Sequence, residues 1–528
     1  MRSVARPKVA RLTAGACLGL ALAACGTTVP VSQQSGTGLT TGDGLGGAAS
    51  TSGTSGPSGS STGSALGGST TGGSTGSGSG GLGTTGGGAG TGTGSSVGGS
   101  GGAAPGAVVG STKPIQVGIT FVKDAAAGLQ AIGVQGATLG DMQRYAQAFV
   151  DEANAHGGLG GRKIQPVFFG YDVNPGSASY DQQDAQACAL FTQDNHIEVA
   201  IVNFAGSALN ECMRKRGIPQ LEDGPTGGVS ESTLKQYSDL VVLGGFNLDR
   251  RARQQVPAMV REKYFSAWDN INGKAGATQP VKVGVITYDY PGFKPAVQGS
   301  MLPALKAAGY AATKVVYVPA HDSYDDLSKM QPQINNAVLD FRASGITHVI
   351  IYDDNGVASL FFMQAAQNQK YHPRYGINSG NNMQVLIKLV DASQLNGAIG
   401  IGWDPSFDIA DAKSPTSKWA NSARRSCYQL MVSKKISTGQ GFNETSEMMY
   451  CSVIRALKNR WDAMPTKAAS NLIASINTYG SSFVDPQVDL TWLSPTQHDG
   501  NGGVYDYYYD TPSGTMKYSG GIHALPRG

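Results

Sequence analysis

The chain has 528 residues, of which 75 are glycine and only 15% are charged, with a formal net charge of +3. Glycine is concentrated: 32 of the 87 residues from Gly26 to Thr112 are Gly, most of the others are Ser, Thr or Ala, and Asp43 is the only charge. Such a stretch cannot bury enough apolar surface to offset its ordering entropy, so the core must come from Lys113 onward, enough for two lobes of about 200 residues. Without the four basic residues of the first 24 (Arg2, Arg6, Lys8 and Arg11) the net charge of +3 becomes −1, which excludes a nucleic-acid partner held by bulk charge. The glycines have no period of three, so collagen is excluded too.

Arg2 to Arg11 form a basic segment and Leu12 to Ala24 an apolar run of 13 residues. A membrane-spanning helix needs about 20, so residues 1–24 read as a signal peptide. The run ends in Leu22-Ala23-Ala24-Cys25-Gly26, which resembles the lipobox of bacterial lipoproteins. That resemblance implies an acylated Cys25 and a protein held by lipid on the extracytoplasmic face of the cell membrane. Each buried CH₂ of an acyl chain contributes roughly 0.8 kcal/mol. The alternative is a chance cysteine beside an ordinary Ala-x-Ala cleavage site. Residues 25–112 then act as a flexible tether with a root-mean-square reach on the order of 50 Å. A glycosylated or adhesive stalk shares that composition, but its few prolines argue against a stiff rod.

Cys17 falls inside the signal segment, which leaves Cys188, Cys212, Cys427 and Cys451. An even remainder in an oxidising compartment suggests two disulfides. Equal spacings of 24 argue for pairing each with its sequence neighbour, although three connectivities are open. No CxxC and no histidine at ligand spacing accompanies them, so neither a metal nor any other cofactor is expected.

From Ile115 the chain alternates short β-rich runs with amphipathic helices. Ile115 to Phe121 is an apolar strand. A helix follows, with Met142, Tyr145, Phe149 and Ala153 on one face, stopped by Gly157 and Gly158. Strands are expected at Ile164 to Phe169, Ile197 to Val202, Ile218 to Leu221 and Leu240 to Leu243. Helices lie between them through Cys188 and through Leu209. The pattern restarts with a strand at Val281 to Tyr288 and a helix at Val297 to Ala307. Then come a strand at Val315 to Val318, a helix within Ser323 to Leu339, a strand at Ile346 to Tyr352 and a helix at Leu360 to Gln369. Ser323 and Asp326 form a candidate capping box. Two such sets imply an α/β fold of two doubly wound lobes with parallel sheets and right-handed crossovers. Ligands of these sheets sit outside the carboxyl ends of the strands, so the cleft between lobes is the natural site.

The segments Gly140-Asp141-Met142 and Asp151-Glu152-Ala153-Asn154-Ala155-His156-Gly157-Gly158-Leu159-Gly160-Gly161-Arg162-Lys163-Ile164, with a strand closing on Tyr171-Asp172, resemble the type I periplasmic binding proteins. The likeness is to the branched-chain amino-acid-binding proteins of ABC importers in particular. It is best from Ile115 to about Pro225 and weaker beyond. It implies a Rossmann-like pair of lobes joined by three crossings: lobe I from residues 113–247 and 404–495, lobe II from 248–403 and 496–528. It also implies hinge closure on a small polar ligand, an amino acid or related amide or carboxylate, and delivery to an ABC permease.

Carried over residue by residue, the resemblance places Phe204, Ala205, Gly206 and Ser207, then Gly224 and Thr226, in the first-lobe ligand loops. Ser207 and Thr226 would supply hydroxyls to a ligand carboxylate; helix capping is the other role open to them. In the second lobe, Asp354, Asn355 and Ser379 stand where the family places the partners of an ammonium group. The family's glutamate is missing at Ser379, and Asp354 could replace its charge. Tyr288, Tyr290 and Phe293 could cover the ligand, and Trp403 lies near a hinge crossing. Core packing is the alternative for each of these aromatics.

Catalysis is not expected. His321-Asp322-Ser323 lists triad residue types, but a triad is assembled in space, and no Gly-x-Ser-x-Gly, HExxH or phosphate-binding GKS appears. A sensor of the same fold, or an adhesive lipoprotein using Tyr505-Asp506-Tyr507-Tyr508-Tyr509, are the remaining alternatives. That tyrosine run also reads as a two-faced sheet strand.

Overall fold

The computed structural model describes residues 113–527 apart from 124–129, 131–139, 225–227, 320–323, 411–418, 420 and 437–441. Cys25, the tether, Thr226 and the residues from His321 to Ser323 therefore lie outside the described residues. Among the described residues no helix is long and apolar enough to cross a membrane.

The first sheet has five parallel strands: β1 (Ile115–Val122), β2 (Ile164–Tyr171), β3 (Val199–Ile201), β4 (Gln220–Glu222) and β5 (Leu240–Val242). Their order is β2-β1-β3-β4-β5, so the winding reverses between β1 and β3. Ile115, Val117 and Ile119 of β1 are fully buried, each contributing roughly 1.5–3 kcal/mol over exposure. The helix Met142–Ala155 buries the expected face, Met142, Tyr145, Phe149 and Ala153, and is capped by Asp141, whose side chain accepts from the Arg144 amide. The turn after it holds Gly158, which has φ +65 and lies so near the Arg162 carbonyl that a Cβ would stand 2.0 Å from it. Only glycine fits there.

After the small hairpin β6 (Trp268–Asp269) and β7 (Lys274–Ala275), the second sheet forms. Its parallel strands are β8 (Val283–Asp289), β9 (Ala312–Pro319), β10 (His348–Tyr352), β11 (Arg374–Asn378) and β12 (Ile399–Gly402). An antiparallel hairpin, β13 (Gly503–Asp510) and β14 (Thr515–Ala524), completes the edge in the order β14-β13-β12-β11-β10-β8-β9. The tyrosine run is β13: Tyr507 is fully buried, Tyr508 is half-buried, and Tyr505 stacks on Tyr518 with ring centroids 4.4 Å apart. The helix expected from Val297 begins earlier, at Phe293, and carries one π-helical turn from Val297 to Met301.

Each sheet has its own core. Cys427, Tyr428, Met431, Tyr450, Ile454 and Trp461, on the helices Ser422–Ser433 and Phe442–Ala463, pack with β1 and the helix Met142–Ala155. The chain thus leaves the first lobe after β5, returns after β12 and leaves again before β13. A small cluster of Phe246, Ile401, Trp403, Val488 and Val504 joins the three passages. The disulfides are Cys188–Cys212 and Cys427–Cys451, the neighbour pairing that the equal spacing favoured. The first ties the helix Tyr180–Ala189 to the helix Ser207–Lys215; the second ties the two long helices of the first lobe.

Candidate ligand-binding cleft

A cavity of about 490 Å³ opens at the carboxyl ends of the strands of both sheets. From the first lobe it is lined by Val122 at the end of β1, Tyr171 at the end of β2, Phe204 to Ser207 after β3, and Glu222 at the end of β4. From the second lobe come Tyr288, Tyr290, Phe293 and Asp354. The rule that parallel sheets bind at strand carboxyl ends accounts for every one of these positions.

The cleft thus brings together eight of the thirteen residues expected to bind ligand: Phe204, Ala205, Gly206, Ser207, Tyr288, Tyr290, Phe293 and Asp354. Gly224 is buried and does not line it. Asn355 stands behind the wall: its Oδ1 accepts from the Tyr288 hydroxyl (3.2 Å) and from the Val357 amide (3.0 Å), which orients the tyrosine. Ser379 is fully buried; its hydroxyl donates to Asp408 (2.6 Å) and accepts from the Trp403 amide (2.9 Å). Trp403 is 1% exposed and packs edge-on against Phe246, 5.3 Å between centroids. These two residues brace the passage between lobes rather than face the cavity.

The loop after β3 holds an arrangement hidden from the sequence. Ser207 opens the helix Ser207–Lys215, but Gly206 is the capping residue and offers no side-chain cap. Asp184 supplies it from the neighbouring helix: its carboxylate accepts from the amides of Gly206 (3.1 Å) and Leu209 (3.0 Å) and from the Tyr171 hydroxyl (2.6 Å). Burial raises the Asp184 carboxyl above its ordinary range, and these three bonds pull it back. One anion, from the protein itself, already occupies this helix N-terminus.

Each lobe also brings an acid to the cleft, Glu222 from the first and Asp354 from the second. Burial alone pushes the Glu222 carboxyl up to about 7. Burial pushes Asp354 up to about 6, against the attraction of Arg251. Asp354 reaches across the cleft: a Cβ on Gly228 would stand 3.0 Å from its Oδ2 and 3.5 Å from the Phe293 ring. Among the described residues lining the cavity there is no lysine, arginine or histidine, while Tyr171, Tyr180, Tyr237, Tyr288, Tyr290, Phe204 and Phe293 supply aromatic surface. The sequence assigned no ligand contact to Tyr171, Tyr237 or Glu222, although Glu222 opens the first-lobe loop that holds Gly224 and Thr226, and Glu222 and Tyr171 both stand at strand ends where the same rule points.

Two lobes of parallel sheet, three passages between them and a cleft at their strand ends define the fold of the type I periplasmic binding proteins. Solved structures agree. An extracellular ligand-binding receptor from Rhodopseudomonas palustris HaA2 is 15% identical with a TM-score of 0.53, over 77% of this chain and 99% of that one. A branched-chain amino acid ABC transporter protein from Thermus thermophilus with bound valine is 11% identical with a TM-score of 0.53, over 78% and 97%. A possible leucine/isoleucine/valine-binding protein from Rhodopirellula baltica SH 1 is 14% identical with a TM-score of 0.51, over 78% and 97%. No family model and no curated protein sequence matches the chain. This chain has the type I periplasmic-binding-protein fold.

Proposed function

We propose that the chain is an extracytoplasmic solute-binding protein, anchored through an acylated Cys25, that closes its lobes on a small polar ligand of the amino-acid or amine class and hands it to an ABC importer. The observation that carries this reading is the cleft, walled by both lobes, with polar and aromatic side chains aimed into it from strand ends. The structures it resembles include a transporter protein with valine bound. A binding protein needs no nucleophile or cofactor; it needs a cavity whose closed form the ligand prefers.

Thermal unfolding of the full-length protein against amino acids, amines, amides, sugars and small acids tests the capture step. A true ligand at 100 times its dissociation constant adds about 2.7 kcal/mol of stability. No stabilisation by any compound would refute the reading. Cys25→Ala should move the protein from the membrane to the soluble fraction, and unchanged partition would refute the anchor.

A further inference from the structure

We infer that the ligand of this cleft is an organic cation without a carboxylate: an amine or alkylammonium with an apolar or aromatic body. This rests on the binding-protein reading and narrows it. A zwitterionic amino acid needs two complementary ends. Here the end that could hold a carboxylate is compromised, because Asp184 takes two of the four amides at the N-terminus of the helix Ser207–Lys215. It also neutralises the positive pole of that helix, which removes the repulsion a cation would meet there.

The remaining walls favour positive charge. Glu222 enters from the first lobe and Asp354 from the second, with no basic side chain among the described lining residues. Arg251, a buried cation near Asp354, does not line the cavity. Its Nε donates to the Tyr352 hydroxyl (3.1 Å), and its guanidinium lies over Tyr352 at 4.5 Å and beside Phe293 at 6.0 Å. Arg251 offsets part of the charge of Asp354, whereas among the described residues no counter-charge acts on Glu222. A ligand ammonium would supply it. The rings of Tyr288, Tyr290 and Phe293 add faces on which an alkylammonium is attracted by the ring quadrupole. A ligand carboxylate would instead face two carboxylates in a partly dry cavity.

Matched pairs that differ only by the carboxylate decide the matter: 3-methylbutylamine against leucine, and 2-phenylethylamine against phenylalanine, measured by calorimetry with the full-length protein at pH 7.5. The amine should bind at least tenfold more tightly than its parent amino acid. Glu222→Gln and Asp354→Asn should each weaken the amine tenfold or more, while 3-methylbutanol, the uncharged counterpart, is affected less than threefold. An amino acid that binds as tightly as its amine overturns the inference, and so does amine binding that neither variant changes. If neither amine binds but a sugar, acid or amino acid stabilises the protein, the inference falls and the binding-protein reading stands. If no compound of the panel binds, both fall.

Discussion

Two residues that only the folded chain brings into place govern the cleft. Asp184 is fully buried and serves two amides and the Tyr171 hydroxyl. Asp184→Ala leaves all three unpaired in a dry place, so it should cost about 3 kcal/mol in urea unfolding. A loss below about 0.5 kcal/mol would show that water replaces the carboxylate. Gly228 lies where Asp354 and Phe293 approach from the other lobe. Gly228→Val inserts bulk at that contact and should abolish ligand-dependent stabilisation, while unliganded stability shifts by less than about 1 kcal/mol. Full ligand response in that variant would show that the lobes need not meet there. Neither role was legible beforehand. Asp184 lies 22 positions from Gly206 and carries no local signature, whereas Ser207 and Asp354 came from the family resemblance, which places both in loops that follow strands.

At the scale of elements, the disulfides do different work. Cys188–Cys212 links the helix carrying Asp184 to the helix that Asp184 caps, so it holds the cleft wall as well as the fold. Cys427–Cys451 links two helices none of whose described residues lines the cavity. Each closes a loop of 24 residues, and removing either should cost about 2–4 kcal/mol. The pair Cys188→Ser with Cys212→Ser should also weaken ligand binding by tenfold or more; the pair Cys427→Ser with Cys451→Ser should leave it within about twofold. Equal effects on affinity would contradict this division. The equal spacing of the cysteines favoured this pairing among three that were open, and the fold supplies the reason, since each bridge joins successive helices. The long helices of residues 422–463 gave no comparable signal. Only the family resemblance pointed to the first lobe for residues 404–495; the packing there rests on contacts more than 250 positions away, such as Arg455 with Glu152.

Over the whole molecule, buried carboxyl groups set the pH response. Burial pushes Glu222, Asp353 and Asp404 up to about 7 and Asp408 up to about 8. In the unfolded chain such groups release their protons near pH 4. Between those values the folded state holds more protons, so this contribution to stability is complete below about pH 4 and is lost as pH rises through 7 and 8. Exposed acids act the other way only at low pH: the Glu211 carboxyl, held down to about 2 by Arg214, loses that attraction only in strong acid. The urea midpoint should therefore be higher at pH 5 than at pH 8.5. A midpoint that rises over that interval would show that the buried acids are ionised and paired.

Much of the architecture was legible from local pattern: a two-period alternation of strand and helix, glycine turns and helix faces such as Met142, Tyr145, Phe149 and Ala153. These are local periodicities, and burial of one face follows from them directly. The same pattern also pointed to the strand ends that form the cleft, since parallel sheets put their ligands there. Which side chains face the cavity and which brace the hinge follows from how distant elements pack. That packing set Ser379 beside Trp403, which the sequence already put near a hinge crossing, brought Glu222 and Asp354 to one cleft from the two lobes, and set Asp184 against the helix that would otherwise hold an anion. Those outcomes depend on the angle and separation of elements distant in sequence, so no local pattern encodes them.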